Sequence, residues 1–135
     1  MNLSEIQLFE TLTHDYDAML QHVEKELEDV DVDELPIGVL SGDDDDINKP
    51  RIEDGRPRHP LLEKLLSFHD DKLRKAVCEQ IDYCQLKKKN QSEITLCSVV
   101  FDALTTSGLG LPLPIATISV YCVTSLYLDR MCKCN

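Results

Sequence analysis

The stretch "GLGLPLPIATISVYCVTSLYLDRMCKCN", residues 108–135, decides the fold of this chain. Most of it belongs to a run without charge from Ala103 to Leu128, in a protein whose net charge is −11. Glycines and prolines interrupt the start of the run, so a helix would begin near Leu113 and meet Asp129 about fifteen residues later. Its length, about 22 to 24 Å, falls short of the roughly 30 Å hydrocarbon core of a bilayer. A helix that is apolar nearly all round must be buried, and we expect this one to be the central helix of the protein.

Two other interpretations of this stretch stay open. Ile118, Val120 and Cys122 share one parity and polar residues share the other, which is the pattern of a strand. A strand here would have one poor pairing partner, and an isolated two-stranded hairpin is marginal. The other interpretation is a C-terminal membrane anchor, with basic residues on both sides of the segment that give no orientation.

Residues 1–30 predict an acidic amphipathic helix from Ser4 to about Val30. The apolar positions alternate steps of four and three, which allows either packing on the rest of the domain or roughly three heptads of coiled coil with a second chain. On this second view the stripe is a partner-binding or self-association surface, formed by Leu12, Tyr16, Met19, Val23, Leu27 and Val30.

Residues 31–59 predict a flexible acidic linker, because prolines, glycines and a run of aspartates exclude an ordinary helix. Residues 1–58 carry 17 acidic against 5 basic side chains, whereas residues 59–135 carry 8 against 9. The acidic half should therefore repel nucleic acid and favour a partner protein with a basic surface. Four further candidate partner-binding residues lie in the linker: Asp43, Asp44, Asp45 and Asp46.

Residues 60–135 predict a helical core domain. Pro60 suits the first turn of a helix over 60–66, a second helix follows over 71–86, and Ser92 and Gly108 suit the two ends of a third over 92–106. With the apolar last helix, the fold class is all-α. We expect an N-terminal acidic amphipathic helix, an acidic linker and a compact C-terminal bundle of about four helices around the last one.

The six cysteines are expected to be free thiols. The first residues lack the basic and apolar regions of a secretory signal, which predicts a reducing, cytoplasmic environment and cysteines that pack as small apolar side chains. No cofactor or metal site is predicted. If the chain returns on itself, Cys132 and Cys134 would meet Cys78 or Cys84 as a thiolate metal site or a redox pair.

The sequence contains no phosphate-binding glycine loop, nucleophile elbow or zinc-protease motif, so we do not expect an enzyme. The leading hypothesis is a small non-catalytic accessory subunit or adaptor that binds a partner protein within a larger assembly. The alternatives are a membrane-associated protein or effector held by its last helix, and a cysteine-based metal or redox module.

Overall fold

A computed structural model describes residues 3–30, 49–89, 92–108 and 110–134, and it confirms the all-α fold. Nearly all regular structure in these residues is helical, and the sole sheet among them is a two-stranded hairpin. The elements are α1 (Leu3–Leu12), α2 (Tyr16–Glu28), β1 (Arg51–Glu53), β2 (Arg56–Arg58), α3 (Pro60–Ser67), α4 (Asp70–Leu73), a π-helix (Arg74–Gln80), α5 (Tyr83–Lys88), α6 (Glu93–Ser107), α7 (Ile115–Thr124) and α8 (Tyr127–Cys132).

The uncharged stretch forms the buried centre of the protein, as predicted. Every residue of α7 from Ala116 to Thr124 is buried, and α7 packs against α1, α2, β2, α6 and α8. The strand interpretation is therefore wrong. The helix is shorter than predicted, because the left-handed conformation of Leu126 (φ 61°) turns the chain into α8. Within the described parts of the chain, no helix has both the length and the apolar character needed to cross a membrane.

The predicted single helix at the N-terminus is two helices. Asp15 adopts an extended conformation and its side chain accepts a hydrogen bond from the Ala18 amide at 3.0 Å, so it caps a new helix, α2. The Thr13 hydroxyl donates to the Phe9 carbonyl at 2.6 Å and helps to close α1. The interruption redirects the apolar stripe, which then follows two short helices around the core.

Both N-terminal helices pack on the core of their own chain. The Phe9 and Phe101 rings meet edge to face with centroids 6.3 Å apart, which joins α1 to α6. His22 of α2 lies 3.1 Å from the Thr117 hydroxyl of α7. The intramolecular alternative is therefore the one that the structure adopts.

Part of the predicted linker is folded. Residues 31–48 lie outside the described residues, but β1 and β2 form a hairpin with Arg51 opposite Arg58 and Glu53 opposite Arg56. Asp54 and Gly55 both have positive φ, 55° and 76°. Two-residue hairpin turns with this conformation match the right-handed twist of the strands that they join. The division of the chain into an N-terminal helix, a linker and a core domain stays a prediction.

The capping residues around α3 and α6 are confirmed. Pro60 opens α3, and Ser92 caps α6 by accepting the Thr95 amide at 3.1 Å. Gly108 ends α6 with φ 67°, a conformation that glycine adopts without steric cost. In contrast, the helix predicted over 71–86 is divided into α4, the π-helix and α5, with Asp82 left-handed at the second break (φ 49°).

The expectation of free thiols is wrong for four of the six cysteines. Disulfides join Cys78 to Cys132 and Cys84 to Cys134, and so attach α8 and the residues after it to the π-helix and α5. The other two cysteines, Cys97 and Cys122, are buried thiols, as predicted. Since disulfides persist in oxidising compartments, the thiol argument for a cytoplasmic location no longer applies to the four paired cysteines.

Candidate binding groove

The residues proposed for partner binding are divided between core and surface. Leu12, Met19 and Val23 are buried in the core, and their role in partner binding stays a prediction. They are buried because both N-terminal helices turn this face toward the core. Tyr16, Leu27 and Val30 are half-buried, and their role in partner binding stays a prediction. The four aspartates Asp43, Asp44, Asp45 and Asp46 lie outside the described residues.

A different surface is concave and rich in cationic side chains. We call it the hairpin groove, because one wall is the β-hairpin and the other is the α7–α8 corner with the residues that follow α8. Its volume is about 390 Å³. Its lining residues are Glu53, Asp54, Arg56 and Arg58 from the hairpin and Ser125, Leu126, Asp129, Arg130, Lys133 and Cys134 from the other wall.

The hairpin presents charge to the groove because side chains alternate along a strand. Ile52 and Pro57 are opposite each other and share one face, and Pro57 is buried. Glu53, Arg56 and Arg58 lie on the other face and line the groove. The register of three residue pairs therefore places two arginines side by side at this surface.

The second wall depends on two left-handed residues and a disulfide. Leu126 (φ 61°) turns the chain from α7 into α8, which brings Arg130 to the groove. Lys133 (φ 58°) ends α8, and its amide donates to the Asp129 carbonyl. The bond from Cys134 to Cys84 fixes the chain beyond that point. The Cys84–Cys134 disulfide therefore fixes the end of the wall that carries Lys133.

Glu63 of α3 lies behind the groove and joins its two walls. Its carboxylate accepts from Arg58 Nε at 3.0 Å and from both terminal nitrogens of Arg130 at 2.9 and 3.2 Å. Tyr121 donates its hydroxyl to the same carboxylate at 2.5 Å and accepts the His59 amide at 2.8 Å. One carboxylate therefore connects β2, α3, α7 and α8.

The electrostatics of this cluster keep Glu63 ionised and Tyr121 protonated. Burial alone would raise the pKa of Glu63, but hydrogen bonds from Arg130 and Tyr121 and the charges of Arg130 and Arg58 hold it below its ordinary value. Burial first, and then the Glu63 carboxylate, raise the pKa of Tyr121 well above its usual range. Tyr121 is consequently a permanent donor to Glu63.

Arg56 is anchored to α6 and α2. Its Nη1 donates to Glu93 at 2.6 Å and to the Tyr16 hydroxyl at 3.0 Å. The hydrogen bond to Glu93 is the main reason that the pKa of Arg56 lies above its ordinary value, against the opposing effect of burial. The Tyr16 side chain, proposed from the sequence as a partner contact, helps to position this arginine, and its role in partner binding stays a prediction.

The cations of the groove are not fully matched. Arg58 and Arg130 share the single charge of Glu63, and Lys133 is exposed and has no ion pair among the described residues. Of the three acidic residues in the lining, Asp129 binds Lys87, Glu53 binds Arg51 at 2.8 Å, and Asp54 is exposed at the turn of the hairpin. Glu63 and Asp54 together are still outnumbered by Arg58, Arg130 and Lys133. The region around Arg58, Arg130 and Lys133 therefore has positive charge available to a ligand.

The nearby histidine is a structural group. His59 is 1% exposed, and its Nδ1 accepts the Leu62 amide at 3.2 Å, which caps α3. Its Nε2 must then carry the proton, and it donates to Glu24. Both nitrogens are occupied, so this ring is not placed to exchange protons with a ligand in the groove.

The sequence did contain a signal for the hairpin wall. "RIEDGRPR", residues 51–58, alternates charged and uncharged side chains around an Asp-Gly turn, a strong local hairpin pattern. The acidic composition of the surrounding residues favoured a linker and concealed it. Comparison with known proteins adds no function, since no protein-family model, curated protein or solved structure matches the chain.

Proposed function

We propose that this protein is a non-catalytic binding module, an accessory subunit or adaptor that holds an acidic segment of a partner protein in the hairpin groove. The observation that carries the proposal is the concentration of Arg56, Arg58, Arg130 and Lys133 around one concave surface. The chain as a whole carries a net charge of −11, so this concentration is not a reflection of its composition.

Carboxylates are the natural ligands of these side chains. A guanidinium group presents a rigid fork of donors that matches a carboxylate in two-point geometry. Glu63 already occupies the Nε/Nη2 fork of Arg58 and the Nη1/Nη2 fork of Arg130, which leaves their other N–H groups for a ligand. Because Glu63 orients both side chains, a ligand would not have to immobilise them, and the entropic cost of binding is reduced. Their two positive charges face one negative charge, which leaves an attraction for a second carboxylate.

A short protein segment suits the groove better than a nucleic acid. The net charge of the chain repels a polyphosphate at long range, whereas a short acidic peptide meets mainly the local positive charge. A volume of about 390 Å³ lies at the small end of ligand sites, which accommodates a few side chains of an extended segment. The basic partner predicted for the acidic half of the chain is a separate interaction and stays a prediction.

The test measures binding of a blocked tetra-aspartate peptide by two-dimensional NMR, with a tetra-asparagine peptide of the same length as control. We expect the acidic peptide to shift the amides of Arg58, Arg130 and Lys133, and the shifts to disappear as salt is raised. Lys133→Gln should weaken binding about two- to fivefold, the range of one exposed charge contact. The matched control is Lys72→Gln, which removes an equal charge from an exposed position of α4 outside the groove.

The outcomes separate specific from general attraction. Equal weakening by Lys133→Gln and Lys72→Gln would mean that the peptide responds only to net charge, and the proposal would be wrong. Shifts of the same size with the asparagine peptide would also contradict it. Inorganic phosphate serves as a competitor: if it displaces the peptide at equal concentration, the groove selects anions of any kind and not an acidic protein segment.

A further inference from the structure

Four cysteine side chains meet at one place on the side of the molecule where α8 ends. Cys78 is bonded to Cys132 and Cys84 to Cys134, and the two bridges are neighbours, because the Cys84 sulfur lies 3.8 Å from the Cys132 carbonyl oxygen. All four residues are half-buried. The cluster therefore lies at the edge of the core, and we call these four cysteines the four-sulfur cluster.

Unusual backbone surrounds the four-sulfur cluster. Cys78 belongs to a π-helix of seven residues, a conformation that is rare and is frequent at functional sites. Asp82, two residues before Cys84, is left-handed, and so is Lys133, which lies between the two C-terminal cysteines. Non-glycine residues seldom adopt this conformation. The irregularities coincide with the positions that bring the four sulfurs together.

The remaining two cysteines differ from these four because they are free thiols and fully buried. Cys97 and Cys122 are fully buried in the core, and burial raises the pKa of each thiol well above its ordinary value. They are inert apolar side chains of α6 and α7. The chain therefore provides an internal control for any experiment on the four-sulfur cluster.

In the disulfide form, the described residues contain no group of three or more histidine, cysteine, aspartate or glutamate side chains placed to hold a metal ion. Reduction changes the chemistry of the cluster. Each bridge takes up two electrons and two protons and releases two thiols. A dithiol reductant supplies both and becomes its own cyclic disulfide, whereas a phosphine supplies the electrons, water supplies the protons, and the phosphine becomes its oxide. Opening both bridges thus places four thiols in a small volume.

We propose that the reduced protein binds one zinc ion through Cys78, Cys84, Cys132 and Cys134. Four cysteine sulfurs are a complete ligand set for tetrahedral structural zinc, which displaces the four thiol protons to solvent on binding. The resulting site carries two negative charges, and Lys133 lies between two of its ligands. The ion would hold α8 to the π-helix and α5 in place of the two covalent bonds.

The proposal concerns a second state of the protein and is independent of the ligand of the hairpin groove. The residue spacing, five residues between Cys78 and Cys84 and one between Cys132 and Cys134, differs from the usual two to four. The π-helix and the left-handed residues account for this difference, since they replace the tight turn that close spacing normally provides.

The test uses the full chain, reduced with a phosphine without oxygen and then freed of the reductant. Cobalt(II) is added first, because tetrahedral cobalt thiolates absorb strongly, and zinc is then added to displace it. We expect saturation at one cobalt per chain and loss of the absorption with one equivalent of zinc. Cys97→Ser with Cys122→Ser should leave the titration unchanged, and Cys132→Ser with Cys134→Ser should abolish it.

A second measurement remains informative if a variant fails to fold. The reduced wild-type chain is alkylated with iodoacetamide, with and without one equivalent of zinc, and the labelled cysteines are located by mass spectrometry. We expect zinc to protect the four cysteines of the cluster together. Labelling of all four at an unchanged rate, or cobalt absorption that survives Cys132→Ser with Cys134→Ser, would overturn the proposal.

Discussion

Each disulfide closes a ring of the chain, and the two rings contain mostly the same residues. The stabilisation from both bridges together should therefore be smaller than the sum of the two separate stabilisations. The bridges join cysteines 54 and 50 residues apart. In the chain-entropy view, one bridge across a loop of this size contributes about 4 kcal/mol by restricting the unfolded chain. With one bridge closed, the other closes only a ring made of residues 78–84 and 132–134. The same relation gives about 2.5 kcal/mol for a ring of roughly ten residues.

Removal of the first bridge and removal of the second should therefore lower the free energy of unfolding by different amounts. Cys84→Ser with Cys134→Ser should lower the free energy of unfolding by about 2.5 kcal/mol, and so should Cys78→Ser with Cys132→Ser. Removal of all four sulfurs should lower it by about 6.5 kcal/mol in total, so that the second bridge costs more to remove than the first. A loss of that size is most of the stability of a typical domain.

The assay is urea unfolding followed by circular dichroism at 25 °C, in buffer with a chelator so that no metal replaces a missing bridge. The slope of the unfolding free energy should rise as bridges are removed, because the unfolded chain expands. Losses of about 4 kcal/mol for each single-bridge variant, with a total that is their sum, would refute the reasoning. In that case the two bridges would restrain independent parts of the unfolded chain.

Three further predictions concern the helices and the groove. Glu63→Gln should destabilise the protein by about 2 kcal/mol at neutral pH, because the half-exposed Arg58 and Arg130 lose a shared carboxylate. Folding lowers the pKa of Glu63, so the ionised carboxylate stabilises the protein above the ordinary carboxyl range. This stabilisation disappears as the pH falls from about 5 through the lowered pKa. The free energy of unfolding should therefore fall less steeply on the acid side in Glu63→Gln than in wild type. Phe9→Ala should cost about 3 to 5 kcal/mol in urea unfolding, whereas Leu3→Ala, at an exposed position of the same helix, should cost under about 0.5 kcal/mol; equal losses would contradict the packing of α1 on the core. Asp15→Ala should cost about 1 kcal/mol through loss of the cap of α2, and Asp15→Asn should restore most of it in the same assay.

The parts of the fold that follow from local chemistry were predictable. Pro60, Ser92 and Gly108 mark helix ends in the sequence, and the structure has helix ends at all three. The absence of charge in α7 predicted its burial, because an apolar surface on every side of a helix requires neighbours on every side. These conclusions need only one segment of the chain at a time.

Two local features of the fold had signals in the sequence that were present but outweighed. A continuous apolar stripe favoured one N-terminal helix, although Asp15 is a good capping residue at the point where the chain turns. Acidic composition favoured a linker, although residues 51–58 alternate around an Asp-Gly turn. In both places a property averaged over many residues was given more weight than one residue in the right position.

The sequence predicted that Cys132 and Cys134 would meet Cys78 or Cys84 if the chain returned on itself, and the structure brings these cysteines together. The groove and the exact disulfide pairs could not be read from the sequence. Arg58 and Arg130 are 72 positions apart in the chain, and only the tertiary fold brings β2 and α8 to the Glu63 carboxylate of α3. The pairing of four cysteines likewise depends on how helices return to one another over 50 and 54 residues. Such contacts are products of the tertiary fold, and no local pattern encodes them.

The complete burial of α7 has a consequence for how the protein tolerates change. Most helices at a surface accept substitutions at every third or fourth residue, where the side chain reaches water. Nine consecutive residues of α7, from Ala116 to Thr124, have no such position. A saturation scan should therefore show an unbroken block of intolerance across this helix, with no helical period, and its backbone amides should be among the last to exchange with deuterium.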